Sequence, residues 1–327
     1  MLMFMIPLVF GLLNTSASPQ IQQTPIVFVA AAQGDGRPTH FLAIGGAQIE
    51  VDVHLAKSDL AVEDVVSWVQ RSAQAVANYY GGFPVSHARV IVTQSSDGGQ
   101  SIHGTTWGNI EGVQGLTRIR LGKSVTKSDL TNDWTMTHEL VHMALTSLPD
   151  ENHWLEEGLA TYVEPLARAQ DGQLSVEEVW KEMLDGMPKG EPAAGDRGLN
   201  QTHTWGRTYW GGALFSLVAD IEIRKATANH KSLKDALRAI VGAGATIDTE
   251  RPLSTVLRIG DQATGTTVLE DLYAGWKDKP VTVDLDHLWP ELGVQQGQHC
   301  ITFDDNAPLA NIRRSMTQPS RASEANH

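Results

Sequence analysis

His138-Glu139-Leu140-Val141-His142 sets two imidazoles four positions apart, with a carboxylate next to the first. On an α-helix, residues four apart lie on one face, so His138 and His142 can aim at a single point. Two neutral imidazoles converging there suit Zn²⁺, at about 2.0–2.1 Å. Glu139 would then lie beside the metal, able to take a proton from a water that the metal activates. The chemistry implied is metal-assisted hydrolysis. The implied cofactor is Zn²⁺ and the natural substrate a peptide or protein.

A catalytic zinc site needs three protein ligands and one open position. The pattern H-E-x-x-H-x-x-G-x-x-H would supply a third histidine nearby, but Leu145 and Leu148 occupy its glycine and histidine positions. That class is excluded. The next source is a carboxylate on a following helix, where Glu156 and Glu157 stand in Trp154-Leu155-Glu156-Glu157-Gly158-Leu159-Ala160-Thr161-Tyr162. A surface helix often carries such a pair as solvated charge. Here the flanking Trp154, Leu155, Leu159 and Ala160 make the turn apolar, and a buried carboxylate needs a partner.

H-E-x-x-H followed by W-L-x-E-G-x-A-x-Y resembles the gluzincin zinc peptidases, in particular the peptidase MA-like group related to the aminopeptidase N and glycyl aminopeptidase families. The resemblance implies that the glutamate before glycine, Glu157, is the third metal ligand. The 14 positions between His142 and Glu157 are a few fewer than the aminopeptidase N type carries. Downstream, Arg207-Thr208-Tyr209-Trp210-Gly211-Gly212-Ala213 is similar to that group's Y-x-x-G-A segment, which implies that the Tyr209 hydroxyl stabilises the oxyanion. Upstream, Gly108-Asn109-Ile110-Glu111-Gly112 lies where the aminopeptidases carry G-x-M-E-N, but lacks its Met and Asn. Glu111 is thus a candidate anchor for a substrate amine, with a solvent-facing loop acid as the plainer reading. The likeness covers roughly residues 100–245. It supports a peptidase more firmly than an aminopeptidase.

Arg207 is a candidate for holding a substrate carboxylate, or for pairing with an acid of the chain. His103, His153 and His203 read as surface or packing residues. Trp107, Trp134, Trp154, Trp205 and Trp210 read as core.

The elements that must position these groups follow from apolar spacing. The expected class is α+β. Strands are expected over 25–32, 47–54, 85–93 and 117–121, the last as an edge or half-exposed strand because Thr117-Arg118-Ile119-Arg120-Leu121 alternates. A helix is expected over 59–80, stopped by Gly81-Gly82. Asp129 or Asp133, with their neighbours, can cap the helix carrying the histidines, which is expected to end near Leu148-Pro149. Further helices are expected from Asn152–Trp154 onward, over 208–226, 233–241 and 267–276, with a long loop at 187–204.

This organisation divides the chain into a leader over 1–18, an α/β half over 19–125, a helical catalytic half over 126–280 and an extension over 281–327, loose from about Asp304. The apolar run Met1–Leu13, followed by Asn14-Thr15-Ser16-Ala17-Ser18-Pro19, reads as a signal peptide, although no basic residue precedes it. Export to a periplasm or the medium is therefore expected. The run is short of the about 20 residues a membrane span needs.

With 327 residues, 41% hydrophobic and 19% charged, the chain has the composition of a folded protein. Its net charge of −13 disfavours nucleic acid as a partner, since phosphate binding needs clustered Lys and Arg. Cys300 is the single cysteine, so neither an intrachain disulfide nor a cysteine-based zinc site can form. Exported zinc-dependent peptidase is the leading expectation. A non-catalytic binding protein on a peptidase scaffold, or a zinc hydrolase of non-peptide bonds, are the alternatives.

Overall fold

Short apolar runs in the first third of the chain pair into one sheet, and the rest is mainly helical. The computed structural model describes residues 27–29 (backbone only), 38–55, 60–96, 98–297 and 300–318. The expected leader and the chain end after 318 lie outside the described residues. The strands are β1 (Val27–Val29), β2 (His40–Ile44), β3 (Ala47–His54), β4 (His87–Gln94), β5 (Ile102–Ile110) and β6 (Val113–Leu121). Their order is β1-β2-β3-β4-β6-β5. Gly45 and Gly46, both at positive φ, make the two-residue turn between β2 and β3 that demands this conformation twice.

β3, β4 and β6 run parallel, while β5 lies antiparallel to β6 at the outer edge. Helix α1 (Val62–Tyr80) is the crossover from β3 to β4. Its acids Glu63 and Asp64 sit in the first turn, favourable to the helix dipole, and Gly81 ends it in the left-handed conformation. It buries Val65, Trp68, Val69, Ala73 and Val76 in the core shared by the sheet and the helical half. Burying each large apolar side chain of this kind contributes about 1.5–3 kcal/mol.

Of the two expectations for β6, half-exposed holds and edge does not. Arg118 and Arg120 are exposed while Thr117, Ile119 and Leu121 are buried, so the alternation reports one solvated face. β6 is interior, and β5 is the edge. On the inner face β5 presents Gly104, Thr106 and Gly108, all small. A Cβ at Gly108 would overlap the Ile247 carbonyl, so this strand is shaped for close approach of the helical half.

That half comprises α2 (Lys127–Asn132), α3 (Thr135–Val141), α4 (His153–Gln170), α5 (Val176–Gly186), α6 (Gly212–Ala226), α7 (Leu233–Gly242), α8 (Leu253–Thr264) and α9 (Val268–Trp276). It is followed by α10 (Leu285–Leu292), β7 (Val294–Gln296), β8 (Ile301–Phe303) and α11 (Ala310–Thr317). A continuous apolar core joins sheet and helices. The architecture is α+β. The segment expected to be loose from Asp304 is folded as far as α11. Arg313 is buried there, donates to the Leu292 and Gly293 carbonyls and pairs with Asp305. No helix among the described residues is long and apolar enough to cross a membrane.

Candidate active site

Two short helices deliver the histidine motif to the sheet edge. Thr126 and Asp129 form a reciprocal capping box on α2. The Met136 N–H then donates to Asp133 Oδ2 at 2.9 Å, so Asp133 starts α3. This helix ends at Val141, well before the expected stop. The chain tightens to a single 3₁₀ turn at His142–Ala144 and becomes extended at Leu145. The histidines keep helical spacing, and both rings face α4. Their centroids are 4.9 Å apart and the planes 83° apart.

Glu157 meets them from α4. Its Oε2 lies 3.1 Å from His138 Nε2 and 3.5 Å from His142 Nε2. One donor atom from each of the three residues falls within 4.8 Å of the others. Burial pushes the His138 imidazole below its ordinary pKa, toward the neutral form that binds metals. At His142 burial acts the same way, but Glu157 and the neighbouring acids outweigh it and raise the value. Burial would raise Glu157 too; its hydrogen bonds to His138 and His142 prevail and hold it well below the usual carboxylate range. One ionised carboxylate oxygen facing two imidazole nitrogens is a donor set that fits zinc. Its open side faces a cleft of ≈ 910 Å³, bordered by β5, α3, α4 and Tyr209.

Glu139 is 7% exposed, and burial raises its pKa. It sits against β5, where Thr106 Oγ1 donates to Glu139 Oε2 at 2.8 Å. Tyr209 arrives on a π-helical turn, Gly206–Gly211, such as often marks functional positions. Its ring stacks on His138, 6.2 Å between centroids and 20° from parallel. Burial, then the charges of Glu157 and Glu139, push the Tyr209 hydroxyl up to about 12. It therefore stays a hydrogen donor at neutral pH.

The chain shares its fold with an aminopeptidase N family protein. That solved structure, from Idiomarina loihiensis, is 14% identical, with a TM-score of 0.57, over 83% of this chain and 49% of that one. An M1 zinc metallopeptidase from Deinococcus radiodurans is also similar, at 16% identity and TM-score 0.47, over 80% of this chain and 53% of that one. The chain thus spans about half the length of each. No family model and no curated protein matches the sequence.

Within this fold, His138, Glu139, His142, Glu157 and Tyr209 are brought together. Glu111 and Arg207 are not. Glu111 sits at positive φ in the β5–β6 turn, hydrogen-bonded to Arg118 and 3.9 Å from Arg89. The surrounding arginines occupy its charge, which turns the amine-anchor candidate into a hairpin residue. Arg207 is buried 2.8 Å from Asp196 and donates to the Gly190 carbonyl. It ties down the 191–204 loop and does not line the cleft.

Two features are not readable from the sequence alone. His153 Nε2 lies 3.4 Å from Glu157 Oε1, and its Nδ1 is 3.1 Å from Glu156 Oε2. The four-residue step from His153 to Glu157 on one helix is the one signal of it. Trp107, Trp134 and Trp205 are exposed rather than core, at 39%, 51% and 62%. Trp134 packs edge-on to His138, and Trp205 stacks on Tyr209. With Trp210, Met183 and Met187 they wall a second cavity of ≈ 480 Å³, which opens beside His138 and Tyr209. Trp107 is not part of that wall and has Arg118 above its ring.

Proposed function

We propose that this chain is a zinc-dependent metallopeptidase in which His138, His142 and Glu157 hold the metal, Glu139 is the general base and Tyr209 the oxyanion donor. The observation that carries this reading is the convergence of the three ligand atoms within 4.8 Å, with Glu139 beside them at the cleft wall.

Zinc in such a site supplies Lewis acidity, bringing the pKa of water from about 15.7 down to about 7. The chain's own residues do the rest. Glu139, with a pKa raised by burial, is suited to accept a proton from the attacking water and pass it to the leaving amine. Tyr209 keeps its proton and donates a hydrogen bond to the carbonyl oxygen as negative charge grows there. One such donor lowers the barrier by about 2.7–4 kcal/mol.

A peptide suits the cleft because β5 borders it as an edge strand. Unpaired backbone groups on such an edge can pair with an extended chain. The cavity between Trp134 and Trp205 would take a side chain next to the scissile bond.

The test is digestion of a peptide library followed by mass spectrometry, with zinc, with a chelator, and with Glu139→Gln. Cleavage that disappears with chelator and with Glu139→Gln, while the variant keeps its zinc, is the expected result. Undiminished cleavage by Glu139→Gln would overturn the mechanism. Zinc bound without cleavage of any peptide would favour a non-catalytic binding protein or a hydrolase of other bonds.

A further inference from the structure

Glu139 is seated from the sheet, not from its own helix. Thr106 Oγ1 lies 2.8 Å from Glu139 Oε2, 3.0 Å from the Glu139 carbonyl and 2.9 Å from Thr117 Oγ1. Thr117 is fully buried. An ionised carboxylate only accepts hydrogen bonds. The backbone carbonyl also only accepts, but the charged carboxylate is the stronger acceptor and the nearer one, so the single Thr106 hydrogen goes to Glu139 Oε2 and Thr117 donates to Thr106. The direction of this relay, Thr117 to Thr106 to Glu139, is set by the charge at its end.

Gly104, two residues earlier on the same face of β5, provides the space. A Cβ there would lie 2.7 Å from both Cδ and Oε1 of Glu139, inside any real contact. Any other residue at 104 would push the carboxylate out of its place. Strand β5 thus fixes Glu139 in two ways, by a hydroxyl that holds one oxygen and by a missing side chain where the carboxyl group lies.

We infer that Thr106 is a positioning residue for the general base. It holds the Glu139 carboxylate in the rotamer that faces the cleft, with Thr117 orienting its hydroxyl and Gly104 leaving the room. This rests on the reading of Glu139 as the proton acceptor. A base must be held close to its productive geometry, because small displacements cost large factors in rate.

The experiment compares Thr106→Val, Thr106→Ser and Thr106→Ala in the full chain. Thr106→Val keeps the shape and loses the hydrogen bond. Its kcat should fall by roughly ten- to a hundredfold, the usual worth of a hydrogen bond to a charged group, with KM and zinc content unchanged. Thr106→Ser should stay within about threefold of wild type, since it keeps the hydroxyl that donates to the carboxylate. A crystal structure of metal-free Thr106→Val should show the Glu139 carboxylate turned away from β5. The inference is overturned if Thr106→Val is as active as wild type, if Thr106→Ser is as impaired as Thr106→Val, or if the carboxylate keeps its place. Should Thr106→Val not fold, Thr106→Ser and Thr106→Ala carry the same comparison, and equal activities overturn it. Full activity of Glu139→Gln is a separate failure, of the peptidase reading itself.

Discussion

Gly158 and Gly212 meet face to face where α4 crosses the start of α6. A Cβ on Gly158 would lie 2.7 Å from Ala213 N and closer still to Gly212 Cα. The residue before Gly158 is Glu157, the proposed ligand, and Tyr209 stands three residues before Gly212. The two glycines therefore set the separation between Glu157 and Tyr209. The close partner of Gly158 is thus α6, not the helix that carries the histidines. Gly158→Ala should destabilise the protein by about 1–3 kcal/mol through overpacking. Calorimetry should show a lower Tm, and activity should fall further than stability alone explains, because Glu157 and Tyr209 are forced apart.

His153 Nε2 lies 3.4 Å from the carboxylate oxygen of Glu157 that does not face His138 and His142. Groups in this outer position typically change metal affinity by about 10–100-fold. His153 is half exposed, so His153→Ala should weaken zinc about tenfold, the low end of that range. Competition with a fluorescent chelator measures this, and an unchanged affinity would show that Glu157 needs no such support.

Tyr209→Phe should lower kcat by about 10²–10³ with little change in KM, as loss of an oxyanion donor does. Because burial and nearby acids push Tyr209 up to about 12, its hydroxyl is protonated throughout the usual assay range. The pH profile of the residual activity should therefore keep the wild-type shape below about pH 10, two units under that value. A profile whose alkaline limb vanishes in Tyr209→Phe would contradict this.

Away from the site, Lys234 lies over the Tyr79 ring and donates to Gln170 Oε1 at 2.6 Å. Burial, then repulsion from Arg238, lower its pKa from 10.5 to about 8. Between those values the native state has released a proton that the unfolded chain still binds, so stability rises with pH across that window. The full cost is present below about pH 8. It is at most ~3 kcal/mol, reduced by the partial exposure of the side chain. Lys234→Met should remove this slope. Denaturant midpoints measured from about pH 7 to pH 10.5 should show the wild type rising relative to the variant.

Much of the site is legible in the sequence because its chemistry is local. H-E-x-x-H fixes two imidazoles by helical geometry alone, and the apolar residues around Glu157 mark its turn as buried. Strand β5 is not legible. Ile102-His103-Gly104-Thr105-Thr106-Trp107-Gly108 has no apolar alternation, since its inner face is glycine and threonine, kept small by the helices against it. That face is where Glu139 is held, so Thr106 and Gly104 are hidden with it. The exposed tryptophans read as core because apolar residues usually are; Trp134 and Trp205 border a cavity that only the fold creates. α11 is hidden because its sequence is mostly polar, and its order comes from burying Ile312 and Met316 and from Arg313 satisfying the Leu292 and Gly293 carbonyls at the end of α10.

The most direct test of the proposed zinc site is X-ray absorption at the zinc edge, on purified protein and on Glu157→Ala. Wild type should bind one zinc ion, with nitrogen and oxygen neighbours near about 2.0–2.1 Å and the multiple-scattering signature of two imidazoles. Glu157→Ala should lose the metal or one of its short oxygen neighbours. A wild-type spectrum without imidazole scattering, or one unchanged in Glu157→Ala, would contradict the assignment of His138, His142 and Glu157 as the ligands.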